Sequence, residues 1–143
     1  MSFLPSLNIA GSALTAQRFR MDVIAQNIAN TDTTRTQNGE PYARKMVVMR
    51  ERHGSFSGLL DTELAKVGQG VEIAAVEQDD KSFKLVYEPD HPDADGEGYV
   101  RYPNIDMVKE MMDMMSASRS YEANVSVVNA VKTMAASALQ IGR

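Results

Sequence analysis

Residues 104–141, NIDMVKEMMDMMSASRSYEANVSVVNAVKTMAASALQI, decide the fold of this 143-residue chain. The stretch contains no Gly or Pro, and its apolar or small residues recur three or four positions apart, as on one face of a helix. That face comprises Val108, Met111, Met115, Ser118, Tyr121, Val125, Val128, Val131, Met134 and Ala138. Asn104 fits an N-cap, with Asp106 and Glu110 near the positive end of the helix dipole. The pattern predicts one long helix over 104–141.

A second helix is predicted at the other end of the chain, over residues 7–30. Its apolar positions follow the same three-and-four spacing with one polar interruption. They are Leu7, Ala10, Leu14, Gln17, Met21, Ile24 and Ile28. The run Asn30-Thr31-Asp32-Thr33-Thr34 follows, and its short polar side chains bond to nearby backbone. We therefore expect this helix to end near Asn30.

The predicted lengths of these helices do not fit a monomer of this size. At 1.5 Å per residue, helix 104–141 is about 57 Å long and helix 7–30 about 36 Å. A compact domain of this chain length has a diameter of roughly 37 Å. The longer helix must therefore leave apolar surface uncovered by its own chain. Because exposed Met and Val side chains adapt to irregular partners, this surface predicts assembly with other subunits.

The middle of the chain predicts a small β-rich module. Short β-branched and aromatic stretches, bounded by Gly, Pro or Asp, lie at 42–50, 71–76, 83–87 and 99–102. Residues 51–70 show no sustained period and are predicted to form an exposed loop. The fold class is thus predicted to be α+β, with long N- and C-terminal α-helices packed as an antiparallel coiled-coil-like stalk that carries this module.

Domain organisation follows from the same division. Residues 1–30 and 104–143 are predicted to form one discontinuous helical domain, and residues 31–103 a loop plus a small β-rich outer module. Their charges are +1 and 0 for the two terminal pieces and −5 for the middle, within a net charge of −4. The acidity therefore belongs to the middle module, and the neutral ends are predicted to assemble.

Composition argues against several classes of function. A net charge of −4 argues against nucleic-acid binding. The absence of Cys excludes thiol chemistry and Cys-based zinc sites. No stretch approaches the roughly 18 to 20 apolar residues of a membrane helix, and the N-terminus lacks the basic start of a signal peptide. If the protein leaves the cytoplasm, we expect another export route.

One acidic segment requires consideration as a metal site. Asp93, Asp95, Glu97 and Gly98 fit the first positions of a calcium loop, but Asn104 stands where a bidentate Glu is needed. A solvated acidic turn is the favoured interpretation. A metal-dependent enzyme that uses Asp90, His91, Asp93 and Asp95 is kept as an alternative. No cofactor, no small-molecule substrate and no enzymatic activity are predicted.

Motifs at both ends of the chain resemble those of one protein family. Ser12-Ala13-Leu14 and residues 27–33 (NIANTDT) resemble the N-terminal signature of bacterial flagellar rod and hook proteins. Residues 116–124 (SASRSYEAN), with Met134-Ala135 and residues 139–143 (LQIGR), are similar to the C-terminal signature of the same axial family. Residues 85–95 (LVYEPDHPDAD), together with 98–100 and 102–104, resemble its proximal rod members. Residues 51–70 are longer than the short strand connection expected there.

This resemblance implies a structural subunit of the flagellar basal body that assembles helically with itself and with other rod proteins. It implies export through the flagellar type III apparatus without a cleaved signal peptide, a place in the periplasm-spanning rod and transmission of motor torque. Contact with the MS ring or an export-gate adaptor is implied as well. A non-polymerising coiled-coil adaptor, or a type III secreted factor with a single partner, is the alternative.

We expect the assembly interface to lie along the two terminal helices. Its predicted residues share either the apolar helical spacing or the two terminal motifs. They are Leu7, Leu14, Met21, Ile24, Asn27, Ile28, Asn30, Met111, Met115, Arg119, Tyr121, Glu122, Asn124, Val125 and Val128.

Overall fold

The structure, a computed structural model of the chain, describes residues 3–52, 69–79 and 83–141. Within them the order of elements is helix α1, strands β1 to β4 and helix α2. Their bounds are α1 Phe3–Ala29, β1 Lys45–Glu51, β2 Val71–Gln78, β3 Lys84–Tyr87, β4 Tyr99–Tyr102 and α2 Met107–Ile141. Most of the loop predicted over 51–70 lies outside the described residues.

The two helices pack on each other and run in opposite directions. Asn27, near the end of α1, contacts Glu110 at the start of α2, and Arg20 contacts Asp113 one turn further along. With 27 and 35 residues, α1 and α2 are about 40 and 52 Å long. After Val131, which is 7% exposed, the side chains through Gln140 are exposed except the half-buried Ala135. The end of α2 is therefore uncovered by the described part of its own chain.

The packing face of α2 differs from the predicted one. One row of its buried or half-buried positions is spaced alternately by three and four and comprises Met107, Glu110, Met114, Ala117, Tyr121, Asn124, Val128, Val131 and Ala135. Beside this row, Asp113, Ser118, Ser120 and Val125 are half-buried as well. The prediction placed Val108, Met111 and Met115 on this face, and all three are more than half exposed. It was wrong there because a buried acid and a small Ala make the close contact, and the larger Met side chains point outward. Further along the helix the predicted positions Ser118, Tyr121, Val125, Val128 and Val131 are buried or half-buried, so the prediction was right there. The last two predicted positions, Met134 and Ala138, are exposed.

The helix ends are set by local hydrogen bonds. The carboxylate of Asp106, not Asn104 as predicted, accepts from the backbone N–H of Val108 at 3.0 Å and so caps α2. The end of α1 agrees with the prediction to within one residue. There, Asn30 Nδ2 donates to the carbonyl of Gln26 at 2.8 Å, and Thr31 Oγ1 donates to the carbonyl of Ile28 at 2.9 Å.

The strands form two separate two-stranded antiparallel sheets, β1–β2 and β3–β4. The register of the first pairs Met46 with Glu77 and Val48 with Ala75, and a bulge follows between Val48 and Met49. Both of its strands contact α1. The second sheet buries Val100 completely on its inner face.

These observations correct the predicted architecture. The α+β class stands, but the stalk carrying one β-rich module is wrong. The helices pair along only part of α2, and the strands divide into two sheets, one of which packs against α1. The chain is thus an α+β fold of two helices and two small sheets. A two-stranded sheet is marginally stable alone, so the first sheet needs the surface of α1.

Candidate assembly interface

A buried amide joins α1, α2 and β1. Asn27 is 1% exposed, and its amide group has four hydrogen-bond partners within the chain. Its Nδ2 donates to the carbonyl of Lys45 at 2.8 Å and to Glu110 Oε2 at 3.1 Å. Its Oδ1 accepts from Lys45 N at 2.9 Å and from the Tyr42 hydroxyl at 3.1 Å. Because a buried amide is costly unless satisfied, this arrangement fixes one relative position of the three elements.

The charge of Glu110 is balanced by Arg44, which precedes β1. Arg44 Nε donates to Glu110 Oε1 at 2.6 Å, and the two side chains are 14% and 1% exposed. Arg44 also lies 3.8 Å from Asp79 and 3.8 Å from Asp113, and Asp113 is paired with Arg20 at 3.6 Å. This group links α1, α2, and the residues that flank the first sheet. Breaking such a buried pair leaves an uncompensated charge, so the group acts as one unit.

The position of Tyr42 in this junction raises the pKa of its hydroxyl. Burial raises the pKa of its hydroxyl above the ordinary 10.0, and the charge of Glu110 raises it further. Both effects disfavour tyrosinate in the folded chain. The proton that Tyr42 donates to Asn27 is therefore retained at neutral pH.

A second contact holds α1 to the first sheet near the other end of the helix. Ser12 Oγ donates to the carbonyl of Ile9 at 2.7 Å and accepts from Val71 N, at the start of β2, at 3.0 Å. Gly70 stands directly beside it with a φ of 102°, and a Cβ there would lie 2.2 Å from Ser12 Oγ. Only Gly combines this backbone conformation with this close approach.

The acidic segment is a hydrogen-bonded turn. Asp93 accepts from Thr34 Oγ1 at 2.8 Å and pairs with Arg35 at 3.6 Å, and Asp95 Oδ1 accepts from two backbone N–H groups. His91 Nδ1 accepts from Asp93 N at 3.1 Å. Among residues 3–52, 69–79 and 83–141, no three His, Asp or Glu side chains are grouped closely enough to hold a metal ion.

Tyr102 lies beside this turn and donates to Glu88 Oε2 at 2.9 Å. That hydrogen bond is the main reason that the pKa of Tyr102 is raised, and desolvation and then the charges of Glu88 and Asp32 add to the effect. Its ring also lies edge to face with the ring of His91, and the two ring centroids are 6.3 Å apart. The turn is thereby fastened to β4.

An exposed apolar stripe runs along the first half of α2. Val108, Met111, Met112 and Met115 are 65%, 53%, 56% and 55% exposed. Further along the helix, Val127, Met134 and Leu139 are also exposed. We call Val108, Met111, Met112 and Met115 the Met stripe. An apolar surface of this kind on a helix is typical of an interaction site.

The predicted interface residues fall into three groups by exposure. Leu7, Met111, Met115, Arg119 and Glu122 are exposed and free to meet a neighbour. Leu14, Met21, Ile28, Asn30, Tyr121, Asn124, Val125 and Val128 are half-buried. Ile24 and Asn27 are buried, so they organise the subunit from within.

Sequence reasoning missed Arg44 and the internal role of Glu110. Glu110 was interpreted only as a partner of the helix dipole. The three-and-four spacing that starts at Met107 passes through Glu110 and Ala117, and this spacing could have shown that an acid belongs to the packing face. An acid on such a face requires a cation nearby.

No helix among the described residues is apolar over a long enough span to cross a membrane.

Comparison with known proteins points to one family. The model for "Flagella basal body rod protein" matches residues 7–36, and that for "Flagellar basal body rod FlgEFG protein C-terminal" matches residues 97–141. The flagellar basal-body rod protein FlgC of Bacillus subtilis is 50% identical over 150 aligned residues and is covered completely, as is this chain. FlgC of Borreliella burgdorferi is 46% identical, with 99% of this chain and 98% of the relative covered. FlgC of Salmonella typhimurium is 43% identical with both chains covered completely. The chain therefore belongs to the FlgC family of flagellar basal-body rod proteins.

Proposed function

We propose that this chain is a structural subunit of the proximal flagellar rod and that it polymerises through the exposed faces of its terminal helices. The observation that carries the proposal is the Met stripe, which is exposed although it lies on the helix that holds the subunit together. Complete burial of a fully exposed Met side chain contributes about 1.5–3 kcal/mol. The Met side chains of the stripe are about half exposed, so several of them together are needed for a stable contact. The proposal includes no catalytic role, which accords with the relatives being named as rod proteins.

The polar junction gives the subunit the rigidity that torque transmission requires. Asn27, Glu110 and Arg44 connect both helices to the first sheet through hydrogen bonds of 2.6 to 3.1 Å. In the proposed rod, the terminal pieces 1–30 and 104–143 form the inner wall and residues 31–103 lie outside. A force on the outer part then reaches the helices through this junction.

Substitution in the Met stripe tests the assembly proposal. We expect Met111→Glu with Met115→Glu to change the unfolding free energy of the subunit by no more than about 0.5 kcal/mol, since both residues are exposed. The same variant should fail to restore motility in cells that lack the gene. Gln37→Glu with Asn38→Glu, at exposed polar positions outside both helices, is the matched control. Normal rods built from the Met variant would contradict the proposal. If the unsubstituted chain forms only a closed one-to-one complex with a single partner, it is an adaptor and not a rod subunit.

The inner and outer assignment has its own test, because the chain contains no native Cys. A Cys at Met115 should become protected from a maleimide in purified basal bodies. A Cys at the exposed Glu97 should stay reactive. Equal reactivity at the two positions would show the assignment to be wrong.

The proposal extends to export through the flagellar type III apparatus and to contact with the MS ring or an export-gate adaptor. We expect the mature protein in purified basal bodies to have the mass of the uncleaved sequence. We also expect it to remain inside cells whose flagellar export is inactivated. Mass spectrometry and fractionation measure these two outcomes.

A further inference from the structure

The outer face of the second sheet carries an aromatic and apolar patch. The register pairs Leu85 with Arg101 and Tyr87 with Tyr99, so these four side chains share one face, here called the hairpin face. Leu85, Tyr87 and Tyr99 are 60%, 63% and 40% exposed, whereas Val100 on the opposite face is fully buried. The hairpin face is therefore turned away from the body of the subunit.

The aromatic side chains of the hairpin face are held in place before any partner binds. The rings of Tyr87 and Tyr99 meet edge to face with their centroids 5.3 Å apart. Tyr87 also closes over Gly98, where an added Cβ would lie 3.0 Å from its ring. Side chains that are already ordered lose little entropy on binding, which is characteristic of interface anchors.

The first sheet has a complementary outer face. Exposure alternates along β1, so that Met46 and Val48 point to solvent, opposite Glu77 and Ala75 of β2. These four residues are the sheet face. Arg50 and Glu72, at its far end, neutralise each other through a contact of 2.6 Å. The sheet face is thus apolar in the middle, with the carboxylate of Glu77 at one end.

The hairpin face and the sheet face are both flat sheet surfaces with an apolar centre, and they carry opposite charges at one end. Each is one side of a short antiparallel sheet with an apolar centre, and such sheets pack face to face at about 10 Å. The hairpin face ends in the cation Arg101 and the sheet face in the anion Glu77. Opposite charges at the rim of an apolar contact fix its register and speed association.

We propose that the hairpin face of one copy docks on the sheet face of a second copy, with Arg101 against Glu77. The inference rests on the proposed rod function and adds an outer contact to the contact made by the helices. The occupant is a second copy because one chain carries both complementary faces. The faces differ, so the contact is heterologous and leaves one free face of each kind, as an open helical array requires.

Cross-linking in purified basal bodies tests the contact. With Leu85→Cys and Ala75→Cys in one chain, a short bis-maleimide should give a ladder that extends beyond dimers. Each single-Cys chain should not give this ladder. Ala75→Cys with Ser126→Cys on α2 is the control pair. If the chain is present in basal bodies but the ladder is absent or equals that of the control, the docking inference is wrong. If the unsubstituted chain is absent from basal bodies, the proposed function itself fails.

Charge reversal tests the pairing of the two faces. Arg101→Glu and Glu77→Arg should each cause loss of the cross-linked ladder in the double-Cys background. Their combination should restore it. Glu97→Lys, in the turn before β4, should leave the ladder unchanged. Failure of the combined variant to recover, with normal circular dichroism of all variants, would overturn the proposed register.

Discussion

The amide of Asn27, two residues before the end of α1, donates a hydrogen bond of 3.1 Å to the buried carboxylate of Glu110 in the first turn of α2. This contact joins residues that are 83 positions apart in the chain. Around it, Tyr42 and Arg44 complete a polar junction between the two helices and the first sheet. Among the described residues, Asn27 is the buried polar residue of α1 and Glu110 that of α2. Their contact therefore fixes how the two helices pack on each other.

Removal of the Asn27 amide should destabilise the subunit strongly. In Asn27→Ala, the hydroxyl of Tyr42, the backbone of Lys45 and one oxygen of Glu110 lose a partner in the interior. We expect the free energy of unfolding to fall by about 2–4 kcal/mol, measured in urea. The exposed Asn129→Ala on α2 is the control and should stay within about 0.5 kcal/mol of the parent. Equal stability of both variants would mean that the junction contributes nothing.

Glu110 and Arg44 should act as one unit. Glu110→Ala leaves the guanidinium of Arg44 without its 2.6 Å partner, and we expect a loss of about 3–5 kcal/mol. Arg44→Ala, which strands a buried carboxylate, should have a loss of similar size. The double variant should lose clearly less than the sum of the two, as a double-mutant cycle measures. Additive losses would show that the two side chains do not interact.

Substitution of three glycines by Ala distinguishes the cost of backbone strain from the cost of a steric clash. Gly96→Ala should stay within about 0.5 kcal/mol of the parent, since no atom lies within 4 Å of an added Cβ. Gly39→Ala adds only strain at a φ of 80° and should cost about 1–2 kcal/mol. Gly70→Ala adds the clash with Ser12 as well and should cost roughly 2–5 kcal/mol. Thermal or urea unfolding gives the order, and a harmless Gly70 variant would show that the contact of Ser12 with β2 is dispensable.

Stability should fall on the alkaline side because of Tyr42. Its pKa is raised in the folded chain above the ordinary 10.0 that applies when the chain is unfolded. The folded state thus holds the proton more tightly, so this contribution is complete below pH 10 and is lost as the pH rises through the folded pKa. Tyr42→Phe should flatten the dependence of unfolding free energy on pH in this range. Tyr102→Phe should change the pH dependence in the same direction, since the pKa of Tyr102 is also raised.

The start of α2 should depend on Asp106 and not on Asn104. Asp106→Ala removes the acceptor for Val108 N at 3.0 Å and should cost about 0.5–2 kcal/mol. Asn104→Ala, at the exposed position two residues earlier, should have little effect. Helix content and urea unfolding of the two variants make the comparison. A larger loss at Asn104 would place the cap where the sequence first suggested it.

Local chemistry is what the sequence alone determined about this protein. The two long helices, the end of α1 at the Asn30–Thr34 cluster and the strand at 99–102 depend on neighbouring residues, whose spacing and hydrogen-bonding capacity are readable without the fold. The terminal motifs also identified the axial family, which the comparisons confirm. The acidic segment was interpreted as a turn, and hydrogen bonds to Asp93 and Asp95 hold it in that conformation.

The tertiary structure decided which face of α2 turns inward and how the strands divide into two sheets. Hydrophobicity favoured Met111 and Met115 for the helix contact, but close packing needs a small residue at Ala117. A buried acid is acceptable there because Arg44 and Asn27 reach it from distant parts of the chain. Such pairings depend on three-dimensional distance, which spacing along one element does not encode. Because the face with Glu110 and Ala117 turns inward, the Met stripe stays exposed. It is thus available for the contacts that we propose between subunits.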